Sequence, residues 1–137
     1  MEKIFHFDSP VEVYTADACV ITCYDARFDA AIRQFLKRRG ILTFDQIKIA
    51  GGPKVLGAPD SESDRTFVLS MIGISQRLHH PPRLLLIAHK DCGAYPGVSR
   101  ERIAEDVQSA AAFLRAQQLS LSVETYFADF DGIYSIP

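Results

Sequence analysis

Arg83-Leu84-Leu85-Leu86-Ile87-Ala88 is apolar at successive positions rather than at every second one. A strand with one wet face alternates apolar and polar side chains. A parallel strand covered by helices on both sides reads instead as an unbroken apolar run. Pro81-Pro82 stands just before it and ends whatever helix precedes, because proline lacks the amide hydrogen and clashes with the turn behind it. The run therefore predicts an inner strand of a parallel sheet in a layered α/β fold.

Working outward, Asp64 to His80 has helical spacing through Val68, Met71, Ile72, Ser75 and Leu78. Asp17 to Thr22 reads as another buried strand. Arg27 to Arg39 reads as an amphipathic helix with Phe28, Ile32, Phe35 and Leu36 on one face, stopped by Gly40. Lys37-Arg38-Arg39 sits where cations suit the helix dipole, and reads as a solvated helix end. A strand is expected across Phe44 to Ala50, then a turn at Gly51-Gly52-Pro53, with loop over residues 57–63. Downstream come a turn from Asp91 to Gly97, a helix from Arg100 to Gln118 and edge strands between Ser122 and Ile136, turning near Asp131-Gly132. The alternation predicts a mainly parallel four-stranded sheet flanked by helices, with an antiparallel edge strand and right-handed crossovers. Residues 1–137 read as a single domain.

Composition narrows the function classes. At 137 residues and 47% hydrophobic, the chain can build a core, which argues against disorder. The formal charge of -2 lacks the basic excess of a nucleic-acid binder. No apolar run approaches the ~18 residues needed to span a bilayer. The start, Met1-Glu2-Lys3-Ile4-Phe5-His6-Phe7-Asp8, lacks the apolar core of a signal peptide, so a cytoplasmic protein is expected. In that compartment Cys19, Cys23 and Cys92 point to metal binding, catalysis or burial rather than to a disulfide framework. Cys19 is expected in the core, and Cys19 and Cys23 have poor strand geometry for a bridge.

Ligands of open parallel sheets gather beyond the carboxyl ends of strands. Two such ends carry unusual residues, Cys23-Tyr24-Asp25-Ala26-Arg27 and His89-Lys90-Asp91-Cys92-Gly93. Two thiolates and an imidazole suit zinc, which takes four tetrahedral ligands. The fourth position would go to water, to substrate or to Asp25. Asp25 and Arg27 also fit a plainer reading, a helix N-cap with a surface ion pair. Likewise His79-His80 reads as a helix end, and Gly51-Gly52-Pro53 as a turn lining the pocket.

Cys-x-Asp-x-Arg after one strand and His-x-x-Cys-Gly after a later parallel strand together resemble the β-class carbonic anhydrases. Ala50-Gly51, the helix from Asp64 and the stretch Val123 to Ile133 resemble the matching parts, so the resemblance covers roughly residues 15 to 135. It implies zinc on Cys23, His89 and Cys92, with Asp25 and Arg27 as a catalytic dyad. Asp25 would either ligate zinc in a closed state or pair with Arg27. The implied reaction is reversible hydration of carbon dioxide to bicarbonate by a zinc-bound hydroxide. Asp25 would orient that hydroxide and Arg27 would anchor Asp25 through a bidentate pair. A homodimer or higher homo-oligomer is implied as well. Departures are Ala26 for a serine, Lys48-Ile49 for Arg-Asn, Ala94 for a second glycine, a short N-terminal arm and no pocket glutamine. Two alternatives keep the zinc site: hydrolysis of carbonyl sulfide or carbon disulfide, and a zinc-binding module without catalysis.

Overall fold

The computed structural model describes residues 1–117 and 119–137. In chain order they form β1 (Ala18–Thr22), a 3₁₀ turn (Ala26–Phe28), α1 (Asp29–Arg38), β2 (Phe44–Lys48), α2 (Lys54–Gly57), α3 (Glu62–His79), β3 (Arg83–His89), α4 (Arg100–Ala116), β4 (Ser122–Asp129) and β5 (Gly132–Ser135). The sheet order is β2-β1-β3-β4-β5. The first four are parallel and β5 returns antiparallel as the edge. That is the expected fold class.

The apolar run of β3 explains the layering. Successive side chains point to opposite faces. Leu84 and Leu86 pack with Val68 and Ile72 of α3 and with Val107 and Leu114 of α4. Leu85 and Ile87 pack with Ile32 and Leu36 of α1 on the other face. Each such fully buried side chain contributes about 1.5–3 kcal/mol of transfer free energy, so both layers stabilise the same strand. At the register end, Thr22 of β1 pairs with Ile87 of β3. Cys23 and His89 therefore leave neighbouring strands almost level with one another.

Differences from the expected boundaries have local causes. The helix expected from Arg27 is divided: the Asp25 carboxylate accepts from Arg27 N and closes a 3₁₀ turn before α1 begins at Asp29. The second strand ends at Lys48 rather than Ala50, because β1 ends at Thr22, its partner, and the chain then turns toward Gly51 (φ 74°) and Gly52 (φ 55°). Lys54–Gly57 forms one helical turn that its apolar pattern is too short to announce. The third helix starts at Glu62 and closes with His80 in the left-handed region, just before Pro81. The fourth ends at Ala116, and Gln118, expected as its last residue, lies outside the described residues.

Candidate metal centre

Cys23 follows β1, His89 closes β3, and Cys92 follows the two-residue turn Lys90-Asp91. All three side chains are buried. One ligand atom from each lies within 4.8 Å of the others, the group with metal-binding composition among the described residues. The two sulfurs stand 3.9 Å apart. A disulfide needs ~2.05 Å between sulfurs. Two sulfurs sharing a tetrahedral ion at ~2.3 Å stand about 3.8 Å apart. The pair is thus spaced for a shared ion, not for a covalent bridge.

The histidine is oriented to serve as a ligand. Its Nδ1 lies 2.8 Å from the Lys90 carbonyl, which can only accept, so Nδ1 carries the proton. Nε2 then presents its lone pair, and Nε2 is buried without a protein hydrogen-bond partner. A second contact to a backbone carbonyl commonly fixes the tautomer of a metal-ligating imidazole. The Phe28 ring, 4.7 Å from the His89 ring, holds it from one side. Burial pushes the Cys92 thiol above its ordinary value, and the nearby Cys23 adds to this. Backbone amides of Ala94 and Gly51 oppose the shift by donating to the sulfur. A cation in the cluster would reverse the balance, since it favours the thiolate outright.

The glycine turn packs against the backbone that leads into Cys23. A Cβ on Gly52 would fall 2.8 Å from Cys23 N and 2.9 Å from the Thr22 carbonyl carbon. Only glycine lets this turn press against the backbone at the end of β1.

Asp25 shows the turn cap and ion pair of the plainer reading. Its carboxylate caps the 3₁₀ turn and also takes a bidentate grip from Arg27: Nε donates to Oδ1 at 3.0 Å and Nη2 to Oδ2 at 2.6 Å. The Arg27 hydrogen bonds and charge hold the Asp25 carboxyl down at about 2. The expected fourth-ligand position of Asp25 is not the conformation seen, because both oxygens face Arg27. The centre opens into a cavity of about 380 Å³ lined by Cys23, Asp25, Arg27, Gly51, Asp91 and Cys92 among others.

Cys19, His79 and His80 lie away from the centre. Cys19 is fully buried in the core, as expected. His79 faces Asp45 at 2.9 Å, and His80 caps α3. The sequence reading gave no role to Asp91 or Phe130. Asp91 Oδ2 accepts from Arg27 Nη1 at 2.9 Å, and the Phe130 ring centroid is 5.5 Å from the guanidinium carbon. An acid inside a ligand-bearing turn was the only sequence signal for the first. The second comes from a hairpin tip that spacing cannot place.

A family model described as "Putative carbonic anhydrase" matches residues 14–135. No curated protein sequence matches the chain. Among solved structures, a carbonic anhydrase from Streptococcus mutans aligns with a TM-score of 0.68 at 17% identity, covering 96% of this chain and 89% of that one. One of two tetrameric β-carbonic anhydrases from Sordaria macrospora aligns at 0.56 and 13% identity, covering 90% and 81%. A carbon disulfide hydrolase in its apo form aligns at 0.55 and 11% identity, covering 90% and 80%. At these identities the structural likeness concerns the fold.

Proposed function

The chain belongs to the carbonic anhydrase family whose model spans residues 14–135, and we propose that it catalyses the zinc-dependent reversible hydration of carbon dioxide to bicarbonate. The observation carrying this reading is the buried Cys23–His89–Cys92 cluster, with His89 Nε2 unpartnered and a paired Asp25–Arg27 on the same cavity. Sulfur and nitrogen donors in this set fit zinc better than the oxygen-preferring divalent ions. Bound zinc would supply a Lewis acid that lets water act as a nucleophile near neutral pH.

The protein groups do the rest. Cys23, His89 and Cys92 would hold the ion, with the Lys90 carbonyl fixing the imidazole. Asp25 stays ionised through the physiological range and can only accept, so a nucleophilic oxygen beside it must direct its proton to Asp25 and its lone pair toward the carbon. Arg27 sets the direction from which Asp25 accepts. A lysine would supply the charge without the fork. Departure of bicarbonate and loss of one proton to solvent or buffer would complete the cycle, and the open cavity offers a way out for both.

Stopped-flow hydration on protein of verified zinc content, with Asp25→Ala beside it, tests the reading. Activity well above buffer that collapses in the variant is expected. Carbonyl sulfide and carbon disulfide belong in the same assay. Turnover of those alone would replace the substrate while keeping the site. Zinc bound with turnover of none would make this a binding module.

A homo-oligomer is also proposed. Ile4, Phe5, Phe7, Val11 and Val13 in the N-terminal arm are all highly exposed, more apolar surface than a solvated arm requires. Sedimentation of the full chain against a chain lacking residues 1–13 tests this, with a smaller species expected from the shortened chain. Identical sedimentation of the two would reject the arm as the contact. No helix among the described residues is long and apolar enough to cross a membrane.

A further inference from the structure

A guanidinium offers five N–H donors in one rigid plane. In Arg27, Nε and one hydrogen of Nη2 serve Asp25. The other side of the plane is taken by a residue 64 positions away: Nη1 donates to Asp91 Oδ2 at 2.9 Å, and Nη2 to the Asp91 backbone carbonyl at 3.0 Å. Two acids thus grip opposite sides of one cation. The grip joins the segment carrying Cys23 to the turn carrying His89 and Cys92. Phe130, from the β4–β5 turn, lies near the guanidinium as well.

Asp91 adopts φ 55°, a conformation that L side chains rarely take. Asp91 and His80 are the only non-glycine residues with positive φ among the described residues, and His80 is explained as a helix cap. Asp91 caps no helix. The turn geometry that aims both its carbonyl and its carboxylate at Arg27 is what this conformation provides. An ordinary surface ion pair contributes little and needs no special backbone. A two-point grip using main chain and side chain fixes direction, which one contact cannot.

We propose that Asp91 is a positioning residue of the hydration site: it holds the outer side of Arg27 so that the inner side presents two aligned N–H groups to Asp25. Its functional consequence rests on the carbon dioxide reading above; its placement rests on the contacts alone. Without Asp91 the half-exposed Arg27 side chain keeps one carboxylate partner and is free to swing with it. Asp25 would then meet the reacting oxygen from a range of directions.

Asp91→Gly and Asp91→Asn both tolerate the left-handed backbone, so neither forces the turn open. Zinc-loaded full-length protein is measured in two ways. In ¹⁵N NMR, wild type is expected to show separate Arg27 Nη1 and Nη2 signals because rotation about Cζ–Nε is slowed by the grip. In Asp91→Gly these merge, and Asp91→Asn is intermediate. In stopped-flow hydration, kcat is expected to fall roughly 10-fold in Asp91→Gly, the scale seen for groups that orient a site from behind. KM, zinc content and Tm should stay at wild-type values.

Separate Nη signals persisting in Asp91→Gly would overturn the proposal, leaving a surface ion pair. Merged signals with wild-type kcat would overturn it too, since positioning would then have no consequence. If zinc-loaded wild type hydrates no carbon dioxide, the parent reading fails, while the arginine signals still decide whether Asp91 holds Arg27.

Discussion

The Cys23 and Cys92 sulfurs meet at 3.9 Å across 69 positions of chain. Parallel pairing of β1 with β3 makes this possible, because Thr22 and Ile87 share a register level and both strands end at the same side of the sheet. Neither loop bends far to reach the other. Gly51 and Ala94 add amides to Cys92, and Gly52 packs on the Cys23 backbone. The sheet therefore brings the two sulfurs together from distant parts of the chain.

Removing the imidazole should remove the metal. In His89→Ala the unpartnered Nε2 is lost and two sulfurs remain, which cannot complete a tetrahedral set. Wild type is expected to retain about one zinc per chain after dialysis, and the variant to fall well below half, on the scale of a lost first ligand. Elemental analysis reads this directly. Chelation should lower the Tm of wild type and leave that of the variant in place. Equal zinc in both proteins would put the metal elsewhere.

Sequence and structure agree where physics is local or strongly periodic. The unbroken apolar run of β3 and the proline pair before it are enough to place a covered parallel strand. The two ligand-bearing segments follow because strand ends of one sheet face one edge. What spacing does not carry is side-chain direction. Asp25 facing an ion and Asp25 facing Arg27 are both open in one dimension. In three dimensions both carboxylate oxygens face Arg27. Asp91 and Phe130 reach Arg27 only through a turn and a hairpin tip, and no periodicity encodes either approach. Lys54–Gly57 is likewise a single helical turn held by packing on α4, beyond the reach of pattern.

Gly52→Ala should damage the centre from outside it. The added Cβ would meet backbone atoms at 2.8 and 2.9 Å, and the φ of 55° disfavours any side chain. Backbone cannot rotate away as a flexible side chain would. A loss of about 1–3 kcal/mol in stability is expected, the usual cost of a non-glycine residue forced into such a site. Denaturant melts read this, and zinc affinity should fall with it because Cys23 must shift. Wild-type stability would mean that the turn relaxes freely.

Arg27→Lys separates charge from geometry. Lysine keeps the cation but can neither fork onto Asp25 nor reach both Asp91 acceptors. Zinc content should match wild type. The hydration kcat is expected to drop by roughly 10- to 100-fold, as for loss of an orienting partner behind a site. An unchanged kcat would reduce Arg27 to a counter-charge and remove the dyad from the proposed reaction.

At the opposite end of the sheet, Asp45 gathers Tyr14, Ser75 and His79. Tyr14 OH and Ser75 Oγ each donate at 2.6 Å, and His79 Nδ1 lies at 2.9 Å. Burial alone would raise the Asp45 carboxyl, but these donors outweigh it and hold it below its ordinary value. The same hydrogen bond, helped by burial and the Asp45 charge, pushes the Tyr14 hydroxyl up to about 12. A depressed carboxyl contributes stability above its unfolded value near pH ~4, and loses it as pH falls through the folded one. A raised phenol contributes below its unfolded value near pH ~10, and loses it as pH rises toward 12. Tyr14→Phe should therefore lower stability by about 1 kcal/mol between pH 5 and 9, the usual size of one hydrogen bond. That deficit should vanish above pH 12, and shrink at low pH as Asp45 takes up its proton. Asp45→Asn should flatten the acid limb that wild type shows. Urea melts at several pH values read all three. A Tyr14→Phe deficit that is constant from pH 3 to pH 12 would show that the tyrosine acts by ring packing on His79 alone.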